Sequence, residues 1–455
     1  MKSTLLNTCI SSVIFATLAT PVALRAQFTY TTNNDQITIT GDTNVPANGV
    51  VVIPSTILVD GTYLPVTSIA DEAFGGHTSL TSVSIPDSVT SIGNQAFESC
   101  ANLTNITIGD SVVTIGGGAF SGCTRLTSVV LPNSVTSLGS STFSFCSSLS
   151  NVTIPSSVTS VGSQAFRSCT NLTSITIPDS ITSIASSLFY DCTSLNNAPL
   201  PNNVTNIGSE AFYNCASLTS VSIPNSVTSI GSEAFEGCTS LTNITIGDSV
   251  TSIEDDAFEF CTDLTSVSIP DSVTSLGNAV FWGCSSITSI SLGDSVTSIG
   301  DWAFQSCTSL TSVTIPSSVT SIGSGAFDDC TSLNAVYFQG NAPSLGYSVF
   351  YVDSNVTVYY LPGTQGWDTW SSPPPALLWN PQVQTSDTSF GVRANQFGFN
   401  ISGTSNLVIV VEACTNLVNS VWYPVATNNL TDGSSYFGDS SWTNYSTRFY
   451  RLRSP

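Results

Sequence analysis

The chain has 455 residues, of which 41% are hydrophobic and only 8% are charged, against roughly 25% charged in an ordinary globular protein. Asp and Glu number 30 against 8 Lys and Arg, which gives a formal net charge of −22. Nucleic acids and anionic lipids both attract Lys and Arg, so this composition excludes a nucleic-acid partner and disfavours anionic membrane surfaces.

The first segment, residues 1–26, has the layout of a secretory signal peptide. Lys2 supplies an early positive charge, a long apolar stretch follows, and small residues lead to a predicted cleavage before Gln27. Beyond Gln27 no apolar run approaches the ~20 residues that span a bilayer. We therefore expect a secreted or cell-surface protein with no membrane-spanning segment after cleavage.

Residues 27–65 are predicted to form an N-terminal β cap. Phe28–Tyr30 and Ile37–Thr40 alternate apolar and polar residues on either side of Asn33–Asp35, which is typical of a β-hairpin. A further strand is predicted at Ile53–Pro54. A cap of this kind covers the first strand edge and keeps it from pairing with another chain.

A repeat of 23 residues dominates the sequence over residues 66–341, where it occurs twelve times. Phenylalanine recurs at this interval from Phe74 to Phe350, and cysteine recurs at the same interval from Cys100 to Cys330. Such a register predicts a stacked solenoid in which each coil buries its apolar side chains against its neighbours.

Each unit contains three predicted segments. Apolar and polar residues alternate over Leu80–Ile85, which predicts a short strand with one buried face. The apolar residues of Val89–Ile92 predict a second short strand, and Gly93 allows a tight turn between that strand and the next segment. The apolar residues of Ala96–Cys100 follow at helical spacing, which predicts a helical stub about one turn long.

The end of the chain departs from the repeat. Residues 342–383 are predicted to hold a degenerate thirteenth repeat, a C-terminal cap and a Pro-rich linker at Pro373–Pro375. From about Gln384 the composition shifts, and short alternating segments over residues 384–455 predict a small all-β module.

The repeat unit resembles the BspA-like, bacterial surface-type branch of the leucine-rich repeats. The resemblance rests on Leu241–Ile246, a following Gly or Pro, the segment Ser-Val-Thr-Ser-Ile and the pattern Ala-Phe-x-x-Cys, and it extends from Val66 to about Tyr360. It implies a repeat solenoid of the leucine-rich-repeat type, mostly β with short helical or turn segments in each coil. It also implies export and surface display, with binding of host or neighbouring-cell proteins in several members and no catalytic residues.

The cysteine column predicts a ladder of buried thiols that donate weakly to turn carbonyls. Adjacent rungs ~4.8 Å apart would fall within the disulfide range, but stacked identical positions point their Cβ atoms in parallel. His77, the only histidine, occupies the first rung as a polar substitute. Without a free histidine the chain lacks the usual general base, and we predict that it is not an enzyme.

A column of aspartates offers a possible metal site at the bend after the first strand. Asp248, Asp271 and Asp294 are consecutive members, and Asp87, Asp110 and Asp179 occupy the same column. A calcium ion would relieve the repulsion between neighbouring carboxylates, whereas the alternative is a solvated bend. The sequence otherwise predicts no cofactor.

Aromatic residues outside the core are candidate ligand contacts. Tyr190, Tyr213 and Trp282 share one column, and Trp302 lies on the same side of the coil. Exposed rings act as stacking platforms or hot spots, and the alternative is that they pack beneath the next coil. Rows of Thr, Ser and Asn on the outward strand positions form a flat hydroxyl face, which is either merely solvated or able to bond a protein edge, a glycan or ice.

Together these features predict a secreted or cell-surface recognition or adhesion protein whose rigid solenoid binds an extracellular protein or glycan. The hypothesised contacts are Tyr190, Tyr213, Trp282 and Trp302. The alternative is a structural surface-layer or matrix component that self-associates, with calcium bridging its acidic residues.

Overall fold

The computed structural model describes residues 28–42, 45–353, 355–370, 374–405, 407–418 and 421–453. The predicted signal peptide and part of the predicted linker, residues 371–373, lie outside the described residues. The described chain forms a mostly β solenoid that is followed by a small all-β region, as the repeat and the C-terminal alternation predict.

The N-terminal cap begins with the predicted hairpin. Phe28–Asn33 and Gln36–Asp42 pair antiparallel, and Gln36–Asp42 then pairs parallel with Thr62–Ile69. Thr56–Val59 pairs antiparallel with Thr62–Ile69, while Val50–Val52 pairs parallel with Ser82–Ser84 in the next coil. Both ladders of the solenoid therefore start on strands of the cap.

A first column of strands, here called the long ladder, uses the alternating segment of the repeat, which in two coils is reduced to a single bridge between Ser174 and Asn197. Its interior positions are buried because Val, Ile and Leu face the core while Ser, Thr and Asn face outwards. Its strands after the cap are Ser82–Ser84, Asn105–Thr107, Ser128–Val130, Asn151–Thr153, Ser220–Ser222, Asn243–Thr245, Ser266–Ser268, Ser289–Ser291, Ser312–Ile315, Ala335–Phe338, Thr357–Tyr360 and Ala376–Leu378.

A second column, here called the short ladder, confirms the second predicted strand. Each strand has two residues and pairs parallel with its equivalent 23 residues away, as in Ser229↔Ser252. Its strands after the cap are Ser91–Ile92, Thr114–Ile115, Ser137–Leu138, Ser160–Val161, Ser183–Ile184, Asn206–Ile207, Ser229–Ile230, Ser252–Ile253, Ser275–Leu276, Ser298–Ile299, Ser321–Ile322 and Ser344–Leu345.

The predicted helical stub is wrong, because this segment is a run of turns that bonds to the next coil. Gln95 and Ser99 adopt left-handed backbone conformations, with φ of 54° and 57°. Alternate amides then point along the solenoid axis: Gln95 N donates to Gly117 O and Phe97 N to Ala119 O, each at 2.8 Å. A left-handed non-glycine residue costs roughly 1–2 kcal/mol, and these inter-coil hydrogen bonds offset that cost. We call this side of the solenoid the turn face.

The core consists of stacked columns of identical side chains. The phenylalanine column from Phe74 to Phe350 is stacked ring on ring, with centroids 5.1 Å apart at the first step and 5.8 Å apart at Phe166–Phe189. Beside it runs the cysteine column, whose members are buried and free. Since a coil buries these groups only against its neighbours, stability depends on the contacts between coils.

The outward hydroxyl rows are largely occupied within the solenoid. Thr104 Oγ1 donates to Thr81 O at 3.1 Å, and Thr228 Oγ1 donates to Thr205 O at 3.2 Å, one coil earlier in each case. Each such hydroxyl donates its only proton in a hydrogen bond to the preceding coil. These hydroxyls therefore present mainly acceptor oxygens to a partner.

The short ladder is interrupted between the coil of Ser160–Val161 and the coil of Ser183–Ile184, whereas the long ladder is divided into separate sheets at several steps along the solenoid. Within the described residues these two strands belong to separate sheets, although each pairs with its other neighbour. The turn face remains connected, with Phe166 N donating to Leu188 O at 3.1 Å. The solenoid is thus held mainly from one side at this point.

The C-terminal region has two antiparallel sheets. One contains Gln382–Gln384, Gly391–Arg393, Gln396–Ser402 and Ser434–Asp439, and the other contains Leu407–Cys414, Tyr423–Leu430 and Phe449–Arg453. Short 3-10 helices lie at Trp367–Thr369 and Trp442–Asn444. Its core is continuous with the last coils, because Tyr337, Tyr359 and Trp379 belong to the same buried cluster as Ile401.

Candidate binding surface

The turn face carries the exposed aromatic side chains of the solenoid. Its two left-handed positions per coil, such as Gln95 and Ser99, are filled mostly by residues other than glycine. Phe145 and Trp302 occupy such positions and are 52% and 47% exposed. A large aromatic side chain that is exposed to water on a left-handed backbone is destabilising. Its presence therefore makes the turn face the candidate binding surface.

Tyr190 and Tyr213 form a stacked pair in adjacent coils. Their ring centroids are 4.4 Å apart with an interplanar angle of 5°. The Arg167 guanidinium lies 4.0 Å above the Tyr190 ring, so three coils contribute to one continuous stack. Both tyrosines are half-buried, and their stacking explains part of that burial.

The two tryptophans belong to different contacts. Trp282 packs against Phe260, with centroids 5.6 Å apart and a tilt of 40°. Trp302 lies against Gly325 instead, where a Cβ at Gly325 would come 2.6 Å from the indole Cδ1. Among the described residues no ring contact joins Trp282 to Trp302. The four predicted residues therefore form one stacked pair and two separate rings along one face.

Carboxylates fill the turn face between Tyr213 and Trp282. Burial and the repulsion of Glu233 raise the pKa of Glu236 to about 7, and burial and the repulsion of Glu236 raise the pKa of Glu259 to about 7. Burial and Glu236 also raise the pKa of Tyr213 to about 12. Burial and mutual repulsion therefore make the Glu236 and Glu259 carboxyl groups titrate near physiological pH, where each is partly ionised.

The aspartate column has a structural use for its oxygens. Asp110 N donates to Asp87 Oδ1 at 2.9 Å, and Asp294 N donates to Asp271 Oδ1 at 2.8 Å. Asp248 N donates in the same way to Asn225 Oδ1, at 3.0 Å. Within the described part of the chain, no three His, Cys, Asp or Glu side chains are grouped so that they could hold a metal ion.

A second column of this kind was not foreseen from the sequence. Asn94 N donates to Asp71 Oδ1 at 2.6 Å, and Ser324 N donates to Asp301 Oδ1 at 2.6 Å. The signal was present as the recurrence of Asp, Asn and Ser directly after the Gly that ends the short ladder. Side chains that accept the next coil's amide replace strand pairing at this bend.

The predicted thiol ladder is confirmed. Each of the eleven ladder cysteines donates its S–H to the carbonyl of a core phenylalanine, as Cys100 does to Phe74 O at 3.1 Å and Cys261 does to Phe235 O at 3.3 Å. Burial raises the pKa of Cys192 to about 12, which keeps that thiol protonated. At the first rung His77 Nδ1 lies 3.3 Å from Asp42 Oδ1, whose side chain is buried.

The fold defines a class of protein: a stacked-coil repeat solenoid with a buried ladder and a variable turn face. Residues 63–173, 159–288 and 252–365 match the family described as BspA type leucine-rich repeat region (6 copies). These matches cover more than half of the chain, so the chain belongs to the BspA-type leucine-rich repeat family, and the resemblance seen in the repeat is confirmed.

Solved structures of bacterial leucine-rich repeat proteins are similar to this chain. A leucine-rich repeat protein from Bacteroides ovatus is 32% identical, covers 78% of this chain and 98% of its own, and superposes with a TM-score of 0.65. A leucine-rich cell surface protein from Faecalibacterium prausnitzii is 30% identical over 72% of this chain and 89% of its own, with a TM-score of 0.46. None of the curated proteins compared with the chain matches it. In the described residues, no helix has the length and apolar character needed to cross a membrane.

Proposed function

We propose that this chain is a secreted or cell-surface recognition or adhesion protein that holds an extracellular protein or glycan on its turn face. A BspA-type solenoid fits a surface or recognition protein in general. The observation that carries the proposal is the row of aromatic side chains on that face, formed by Tyr190, Tyr213, Trp282 and Trp302.

Two physical properties support this proposal: the rigidity of the solenoid and the partly buried aromatic side chains on its turn face. A repeat solenoid holds its side-chain columns in fixed positions. Binding a partner therefore costs little free energy for ordering the surface. Partly buried Tyr and Trp are the side chains that dominate binding energy at interfaces. The carboxylates between Tyr213 and Trp282 would favour a partner that brings a positive charge to Glu236 and Glu259.

The proposed activity is binding without catalysis and without a cofactor. His77, the only histidine, lies against buried Asp42 at the N-terminal end of the cysteine ladder. Burial raises the pKa of ladder thiols such as Cys192 and Cys238 to about 12, which disfavours a thiolate nucleophile.

The test replaces the four aromatics by the residue that the repeat itself uses in the same columns. Ser121 and Ser144 occupy the column of Tyr190, Tyr213 and Trp282, and Ser141 and Ser187 occupy the column of Trp302. A Tyr190→Ser, Tyr213→Ser, Trp282→Ser and Trp302→Ser variant should keep the fold. We expect it to lose most binding to a panel of extracellular proteins and insoluble polysaccharides.

A matched control is Tyr63→Ser, which removes a 64% exposed tyrosine from the cap. Binding by the quadruple variant equal to that of the wild type would refute the proposed contacts. Export is tested separately, since N-terminal sequencing of the exported chain should begin at Gln27. A chain that stays in the cytoplasm would contradict the predicted localisation.

The structural alternative is self-association with calcium at the aspartate column. The Asp87 and Asp271 carboxylates each use one oxygen for the next coil's amide, which leaves the other oxygen for an ion. Size-exclusion chromatography with calcium and with a chelator separates the two roles. A calcium-dependent shift to larger species that Asp271→Asn abolishes would favour the alternative, and unchanged elution would favour recognition alone.

A further inference from the structure

A cleft opens on the turn face at a place where the repeat departs from its own pattern. Most coils carry long side chains at the outward turn positions, but one coil has Gly117, Gly118 and Ser121 there, and the next has only serines until Phe145. The coils on either side restore the long side chains. The result is a depression of about 630 Å³, within the range of small-ligand sites.

The two walls of the cleft are planar and polar. Gln95 and Glu98 form one wall, joined by a hydrogen bond of 2.8 Å from Gln95 Nε2 to Glu98 Oε2. Gln164 and Arg167 form the other, and Ser141 Oγ donates to Gln164 Oε1 at 3.3 Å. The walls are three coils apart, or about 14 Å at the spacing of stacked β-strands.

The Arg167 guanidinium is held in a position where its N–H donors could bind a ligand in the cleft. Its guanidinium rests 4.0 Å from the Tyr190 ring, and within the described residues it makes no ion pair. The cation–π contact fixes the plane of the group without using its N–H donors, which are then available on the cleft side.

Phe145 supplies an aromatic surface beside the polar floor. Phe145 is 52% exposed, and its backbone has a φ of 59°. Gly122 and Gly237 occupy the equivalent position in other coils with similar positive φ angles. Phe260 occupies the same column but packs on Trp282, with Gly283 beneath its ring. Phe145 has no such aromatic partner among the described residues, so its strained and exposed ring calls for a function.

From these observations we infer that the cleft binds a short oligosaccharide of neutral sugars. Planar amide, carboxylate and guanidinium groups pair with neighbouring hydroxyls, and the ring of Phe145 provides a surface for the C–H face of a sugar. Phe145 is the only aromatic or aliphatic side chain that lines the cleft, so it lacks the apolar pocket that a protein hot spot fills. A net charge of −22 disfavours polyanionic glycans.

This inference rests on the proposed recognition role and adds a ligand class and a second site to it. The probes are soluble neutral oligosaccharides of glucose, xylose, mannose and N-acetylglucosamine, titrated calorimetrically into the exported chain. Oligogalacturonate serves as the charged comparison. We expect saturable binding of at least one neutral probe and weaker binding of oligogalacturonate.

Two variants test the cleft with side chains that the repeat already contains. Gly118→Gln fills the cleft with the residue found at Gln95 and Gln164 in the same column. The nearest atom to the added Cβ would be the flexible Gln95 Cγ, at 3.2 Å. Phe145→Ser introduces the residue found at Ser168 in its column. Each should lower the affinity at least tenfold. Phe145→Ser should leave the thermal unfolding midpoint unchanged, while Gly118→Gln should stay folded with a lower midpoint, because Gly118 has a φ of 63° and a side chain in that left-handed conformation is strained.

Phe260→Ser is the matched control, because it removes an aromatic ring from the same column outside the cleft. Binding of no neutral probe, unchanged affinity in Gly118→Gln and Phe145→Ser, or preference for oligogalacturonate would each overturn the inference. Loss of a protein ligand in Phe145→Ser would assign the cleft to a protein instead. Continued capture of partners through Tyr190 and Trp282 would show that only the glycan inference had failed.

Discussion

Ala185 is the residue whose replacement should most change the mechanics of the solenoid. It occupies the column in which most coils have the glycine that ends the short ladder, as at Gly162 and Gly208. A Cβ at Gly162 would lie 2.4 Å from Ser140 N, and one at Gly208 would lie 2.6 Å from Ser186 N. We infer that the extra carbon of Ala185 holds its coil away from the preceding one, at the step where the short ladder is interrupted.

The magnitude follows from the hydrogen bonds that this interface lacks. One coil later, Thr205 N donates to Thr182 O and Gly208 N donates to Ile184 O, each at 2.9 Å. Within the described residues neither equivalent bond joins Thr182 or Ala185 to the coil before. Two bonds at about 1 kcal/mol each, less the roughly 0.5–1 kcal/mol that glycine costs, give about 1 kcal/mol of stabilisation for Ala185→Gly.

The column also shows how far such a side chain is tolerated. Glu254 occupies it as well, and there the short ladder stays paired while Glu254 N donates to Ile230 O at a longer 3.1 Å. A side chain in this column is therefore compatible with a paired ladder in some coils. Val161, in the strand that comes before Ser183–Ile184 in the short ladder, is half-buried, whereas the Ile and Leu residues at equivalent positions from Ile92 to Ile322 are buried.

Native-state hydrogen exchange reports on each amide at this interface. In the wild type the amides of Thr182 and Ala185 should exchange much faster than those of Thr205 and Gly208. Ala185→Gly should slow the amides of residues 182 and 185 and raise the free energy of unfolding by about 1 kcal/mol. Gly208→Ala is the reciprocal control and should create a second fast-exchanging interface. Slow exchange at Thr182 in the wild type would refute the reasoning.

Two further predictions concern the ionisable groups. Burial raises the pKa of Cys192 and Cys238 to about 12. The ladder thiols should therefore not react with an aromatic disulfide reagent at about pH 8 until the chain unfolds. Rapid reaction of the folded chain would contradict a buried ladder. The pKa values of Glu236 and Glu259 are raised from 4.5 to about 7, so ionisation costs more in the folded chain than in the unfolded one, and their stabilising contribution is full below about pH 4.5 and lost as the pH rises through 7. The thermal unfolding midpoint should therefore fall between about pH 5 and pH 8, and a Glu236→Gln, Glu259→Gln variant should flatten that dependence; a midpoint that rises with pH would contradict it.

The sequence was sufficient to identify the solenoid, its two strands per coil and its buried columns. A register of 23 residues places every Phe from Phe74 to Phe350 and every Cys from Cys100 to Cys330 in equivalent positions. Stacking then requires identical side chains to meet one coil apart, so the thiol ladder and the Tyr190–Tyr213 pair follow from numbering alone. The same argument cannot pair Trp282 with Phe260, which lie in different columns.

The turns were mispredicted because spacing does not reveal the partner of a backbone amide. Ala96, Phe97 and Cys100 have helical spacing, but the amides of Gln95 and Phe97 bond to the next coil and not within a helix. The left-handed backbone conformations at Gln95 and Ser99 make these inter-coil bonds possible. The polar residues at these positions do not indicate such a conformation in the sequence. Hydrogen bonds between coils therefore override the local helix propensity of this segment.

By itself, the sequence determined which side chains are inside and which coil follows which, because hydrophobic periodicity and repeat length fix both. Only the tertiary structure decided how adjacent coils bond, where the short ladder is interrupted, and where Gly117 and Gly118 open a cleft beside Phe145. Those features depend on contacts between neighbouring coils. Contacts of that kind arise only when the coils are stacked.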